Sequence, residues 1–344
     1  MLEGHEFRLW QGKIDPIYQN MMMCRDKTML AVSRNQLSRR EQLLTALHDL
    51  TPGLLTDNEG NFMSMELIDR ASHGLFEYCV CRGTFSDKMQ QLEVLLAEGI
   101  PAFIGTIHPL LPFSARYNPR LSRKDYHVPN HIFAILGKEH GHYIYFDTSS
   151  IQSPRFEAYP ANSELGLIKT KIVDDLLRDM FELSYAIWHE EKRSDLETYG
   201  QQLLTAYGSA YEHAEAEIWD DPSGLYYRGE KAWGLLNEAL LSPQLNLAQP
   251  CWEHNFIEQG DMLNWKLTDL AKRRMLMSLW LREEKRIEEA LLWEEAGKQL
   301  ERLSTFLLYR REKGKYGQDP YYGVILDEIM ALEKKNCNFL QKYT

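Results

Sequence analysis

The sequence predicts an α+β protein in two parts: helices packed on an antiparallel sheet over residues 1–160, then an all-helical region over residues 161–344. Three observations carry this. Strand-like and helix-like patterns alternate through the first part. Beyond it, long amphipathic stretches take over and strand signals almost vanish. At 344 residues the chain is also long enough to bury two separate cores.

Helical spacing opens at Cys24 and runs to about Asn35, then resumes from Arg39 to about Asp49 until Thr51, Pro52 and Gly53 break it. Met63–Ser72 reads as a short helix, closed by Gly74 at a position that favours left-handed backbone. Leu75–Cys81 has strand composition. Ser86 is placed to cap a helix ending at Gly99, with Met89, Leu92, Leu95 and Leu96 on one face. Ile100–Ile107 reads as a buried strand. His131–Gly137 and His142–Asp147 form a hairpin around a turn of Gly137 to Gly141. In the second part, Ile168–Glu191, Leu196–Trp219, Gly229–Leu241, Asp261–Glu284, Arg286–Lys313 and Tyr321–Tyr343 have the spacing of bundle helices.

Composition narrows the class of function. Hydrophobic content of 44% with 26% charged residues is that of a globular protein. No stretch reaches the roughly 18 consecutive apolar residues of a membrane helix. A formal net charge of -11 argues against a nucleic-acid partner, which would call for an excess of Lys and Arg. The first residues lack the pattern of a secretory signal, and the five cysteines, at 24, 79, 81, 251 and 337, are odd in number and scattered. Free thiols in the cytoplasm are therefore expected.

The chemistry concentrates in the hairpin, where the segment from Tyr126 to Ser150 holds four histidines and an aspartate. A turn centred on Glu139 places His131 directly opposite Asp147, within hydrogen-bond range of an imidazole and a carboxylate. A four-residue turn would instead put Thr148 there, so the pairing depends on register. A histidine held by a carboxylate is what a general base requires. His127, His131, His140 and His142 could also supply metal nitrogens, but Pro129 interrupts helical spacing and His140 lies at the turn, far from His131. No metal and no cofactor are expected. A base and its orienting acid need a nucleophile, and Cys24 is best placed, because a thiol at a helix start is favoured as thiolate. Gln19, five residues upstream, can offer an amide to an oxyanion. Cys79 and Cys81 share one face of a strand, and Cys251 and Cys337 fall in the helical part.

The order of these parts resembles the papain-like cysteine peptidases, and within them the bacteriocin-processing peptidases and the butirosin-type acyltransferases. The matching elements are Gln19 before Cys24, "LLAEGIPAFIGTI", "HIFAILG" opening on His131 and "YIYFDTS" carrying Asp147, over roughly residues 15 to 150. Met23, Cys24 and Arg25 stand where such families often have Asp-Cys-Gly. "LYYRGEKAWGLLNEAL" at 225 to 240 looks like the helical extension of the acyltransferases. The resemblance implies a papain-like N-terminal domain with Cys24 as nucleophile, His131 as base and then acid, Asp147 as orienter and Gln19 as oxyanion donor. It implies amide formation from an acyl thioester, carried by an acyl carrier protein, and a small-molecule amine, in secondary-metabolite assembly. Thioester or peptide hydrolysis with the same triad, or a catalytically silent binding protein, are the alternatives, and a homo-oligomer is left open.

Overall fold

The structure is a computed structural model that describes residues 15–19, 21–32, 37–67, 75–111, 131–147, 158–159, 162–178, 182–212, 217–218, 224–251, 257–315 and 319–341. The chain runs α1 (Pro16–Gln19), α2 (Cys24–Val32), α3 (Arg39–Thr45), β1 (Gly53–Thr56), β2 (Phe62–Glu66), β3 (Phe76–Cys81), α4 (Phe85–Ala97) and β4 (Ala102–Thr106). There follow β5 (His131–Glu139), β6 (His142–Phe146), β7 (Ala158–Tyr159), β8 (Asn162–Lys169), α5 (Thr170–Arg178), β9 (Leu183–Trp188) and α6 (Leu196–Tyr211). The chain closes with β10 (Glu217–Ile218), β11 (Leu225–Arg228), α7 (Gly229–Leu241), α8 (Gln259–Glu283), α9 (Ile287–Glu312) and α10 (Pro320–Gln341). The fold is α+β, a mostly antiparallel sheet region and a helical C-terminal part.

Two compact units divide these elements, one built from residues 1–42 and 74–193, the other from residues 43–73 and 194–344. The boundary expected near residue 160 therefore moves. Sheet strands continue to Trp188, and the early residues 43–73 belong with the helical part.

The first unit is organised by a sheet in the order β3-β9-β4-β5-β6-β8-β7, every neighbour antiparallel. Strand alternation sends Ile104, Phe133, Ile135, Tyr143 and Tyr145 to one face. There they pack on Leu92, Leu95 and Leu96 of α4 and on Val173, Leu176 and Leu177 of α5. Directly opposed residues share that alternation, so Thr106, paired with His131, continues the same face to the end of β4. Gly166 lies opposite Tyr145, and a Cβ there would come within 2.3 Å of the tyrosine ring.

Several local expectations change. Residues 168–191 are not one helix, because Leu183–Trp188 inserts between β3 and β4 and gains backbone pairing on both edges. Met63–Glu66 is strand, not helix, because it pairs with β1. Leu67 follows the strand without helical structure, and residues 68–72 of that expected helix lie outside the described residues. Thr84 caps α4 in place of Ser86: its hydroxyl accepts from the Asp87 N–H, while the Asp87 carboxylate accepts from the Thr84 N–H. The hairpin turn is the two residues His140 and Gly141, both with positive φ, at 45° and 78°. That backbone is the one that two-residue hairpin turns favour.

The second unit contains the sheet β10-β11-β1-β2 and the helices α6 to α10. Its interior carries an ion pair in which Arg274 Nε lies 2.8 Å from Glu333 Oε1, both side chains fully buried. The Arg274 guanidinium also lies over the rings of Tyr207 and Trp293, at 5.3 and 4.9 Å. No described helix is long and apolar enough to cross a membrane.

Candidate active site

Three described elements of the first unit converge on one end of the sheet. Helix α2 begins at Cys24 and packs along β5, where the Thr28 hydroxyl donates to the Ile132 carbonyl at 3.4 Å. His131 opens β5, and Asp147 follows β6. Their side chains meet, with His131 Nε2 2.7 Å from Asp147 Oδ2. Both are buried, His131 to 2% exposure and Asp147 to 0%.

The contact survives a register different from the expected one. Ala134 pairs with Phe146 and Ile135 with Tyr145, and a bulge follows before Gly137 meets Ile144. Continuing that count puts Phe133, not His131, across from Asp147. The histidine reaches the carboxylate diagonally, along the shared face of β5 and β6. The direct opposition expected from a turn centred on Glu139 is thus corrected, because the tighter turn and the bulge shift the pairing by two residues.

Cys24 completes the line. Its side chain hydrogen-bonds His131. Since Nε2 serves Asp147, Nδ1 is the nitrogen left for the thiol. Burial works against an imidazolium here, but the charge and hydrogen bond of Asp147 outweigh it and Cys24 adds to them, so the His131 pKa is pushed up to about 10. A protonated imidazole beside a thiol favours the thiolate.

A fourth residue was not anticipated. His108 stands in a short turn just after β4, with its ring centroid 4.2 Å from that of His131 and the planes tilted by 32°. It is 4% exposed. Burial, with the positive His131 adding, drives its pKa down to about 3 against the pull of Asp147. The sequence signal was weak, a histidine directly after the expected strand Ile100–Ile107. Only the pairing of Thr106 with His131 reveals its position.

The remaining candidates lie elsewhere. Gln19 is the last residue of α1, and its side chain is outside what is described. His127 also lies outside the described residues. His140 is in the turn with its side chain 89% exposed, and His142 begins β6, so both sit at the far end of the hairpin from His131. Among the described residues, no group of three or more His, Cys, Asp or Glu is arranged to hold a metal. All five cysteines are free thiols. Cys81 packs against the sheet core, and Cys251 and Cys337 are buried in the second unit. Arg25 extends over the ring of Tyr78, with its guanidinium carbon 5.8 Å from the centroid.

No protein-family model matches the chain, and no curated protein sequence matches it.

Proposed function

We propose that the first unit is a cysteine-dependent acyltransferase of papain-like type, forming an amide from an acyl thioester and an amine through an acyl-Cys24 intermediate. The observation that carries this reading is the chain Cys24–His131–Asp147, a thiol at a helix start joined to a buried imidazole that is itself held by a buried carboxylate. The thioester donor, the carrier protein that would present it and the amine acceptor follow from the resemblance to the butirosin-type acyltransferases.

In the first step, the Cys24 sulfur attacks the thioester carbonyl. The C–S bond to the donor breaks, and its departing sulfur takes the proton from His131. In the second, the amine nitrogen attacks the acyl-Cys24 carbonyl and gives a proton to His131. The C–S bond to Cys24 breaks, returning the thiolate beside the imidazolium. Asp147 stays ionised throughout and holds Nε2. Gln19 is the proposed donor to the oxyanion. Exchange between sulfurs is close to thermoneutral, which suits a thioester donor to a thiol.

Incubation with acetyl and octanoyl thioesters of N-acetylcysteamine, followed by intact-mass measurement, tests the reading. A covalent acyl adduct on the wild type that is missing from Cys24→Ala supports it. The absence of an adduct on the wild type with both thioesters refutes it.

A further inference from the structure

We propose that His108 is a positioning residue for His131, a neutral imidazole laid against its ring that holds the orientation in which one nitrogen serves Asp147 and the other Cys24. The inference rests on the reading of Cys24, His131 and Asp147 as an acyl-transfer site.

The titratable groups described as facing His131 come from three elements: Asp147 after β6, Cys24 at the start of α2 and His108 after β4. The first two act through hydrogen bonds at ring nitrogens. Such bonds fix where the nitrogens point, but they leave one flank of the ring to whatever packs on it. His108 fills that flank at 4.2 Å. Both residues are buried, His108 at 4% exposure and His131 at 2%.

Delivery of the ring is a consequence of topology. Thr106 is paired with His131 across β4 and β5, and the chain turns at His108, where Pro109 fixes the backbone of the short helical turn. His108 is thus tied to the strand that carries His131 by the sheet itself.

A flat ring suits this place because it matches the face of the imidazole it covers. A neutral one is required, because a second cation at this distance would repel the imidazolium. Burial and the charge on His131 together keep His108 neutral. With the flank closed, the attractions of His131 to Asp147 and to a Cys24 thiolate act across little water and are correspondingly stronger. Opening the flank admits water, weakens both and lets the ring turn.

The test is the rate of Cys24 alkylation by iodoacetamide as a function of pH, read at that residue by peptide mass. The wild type is expected to show an upper inflection near pH 10, where His131 loses its proton. His108→Ala is expected to lower the neutral-pH rate by about tenfold or more, as small misplacements of reacting groups do. Its upper inflection is expected to fall by about one pH unit. His108→Phe, which keeps a flat ring, is expected to restore both. Should His108→Ala fail to fold, His108→Leu carries the same expectation, since it fills the volume without a flat face.

Wild-type rate and inflection in His108→Ala or His108→Leu, alongside a shifted inflection in Asp147→Asn, overturn the inference alone. If the wild-type thiol titrates as a single ordinary cysteine and Asp147→Asn leaves it unchanged, the reading of the whole site falls and this inference with it.

Discussion

His131 Nε2 and Asp147 Oδ2 lie 2.7 Å apart although the two residues are not opposite one another in the sheet. A bulge and a two-residue turn set the register, and the diagonal reach across β5 and β6 makes the contact. A hydrogen bond closed in that way, with both partners buried, fixes where Nε2 of the imidazole points. Replacing Asp147 by Asn keeps the shape but removes the charge, so acyl transfer to Cys24 should slow by about 100-fold or more, with Cys24 still present and the fold retained. Single-turnover acylation measured by mass checks this, and a rate within a few-fold of wild type would show that the carboxylate has no part in the chemistry.

The two neighbouring histidines give the stability of the protein a pH profile with two arms. His131 titrates near 10 when folded against an ordinary 6.5, but the Cys24 thiolate beside it has given up a proton that an unfolded thiol keeps to about 8.5, so the folded chain holds an extra proton only between about 8.5 and 10. Stability falls as pH rises through that window. His108, lowered to about 3, stays neutral when folded while the unfolded histidine takes up a proton below 6.5, so stability also falls as pH drops from 6.5 toward 3. Chemical denaturation at a series of pH values should show both arms. In Asp147→Asn the alkaline arm should flatten, because the charge that raises His131 is gone.

In the second unit, Glu333 is fully buried and serves Arg274 and the Tyr207 hydroxyl at once. Removing it strands a buried guanidinium. Glu333→Ala should cost about 3–5 kcal/mol by denaturant unfolding, in the range typical of breaking a buried ion pair from one side. Glu333→Gln keeps an acceptor for Tyr207 and should cost less. Equal, small losses in both variants would show that the pair is not structurally coupled to the core.

Much of the site was legible in the sequence for a physical reason. The hairpin strands, the helix beginning at Cys24 and the strand before His108 are short-range patterns of apolar spacing, and they appear close to where they were expected. The register of His131 and Asp147 was not legible, since the two-residue turn and the bulge together shift the pairing by two residues, which leaves every side chain on its expected face. Nor was the β9 strand at Leu183–Trp188, which owes its state to neighbours some 80 to 110 residues earlier in the chain, in β3 and β4. His108 belongs to the same kind of long-range consequence. Its ring matters only because Thr106 happens to pair with His131. The reassignment of residues 43–73 to the helical part is another, since β1 pairs with β11, whose residues begin at Leu225.

In the proposed reaction Cys24 accepts an acyl group and passes it to an amine. That transfer is tested most directly by forming the acyl-enzyme from an octanoyl thioester, removing excess donor, and adding ethanolamine while following both the protein mass and the amide product. The Cys24 adduct should disappear as N-octanoylethanolamine forms in matching amount, and neither event should occur in Cys24→Ala or His131→Ala. An adduct located on another residue, or amide formation that persists at the wild-type rate in Cys24→Ala, would contradict the proposed reaction.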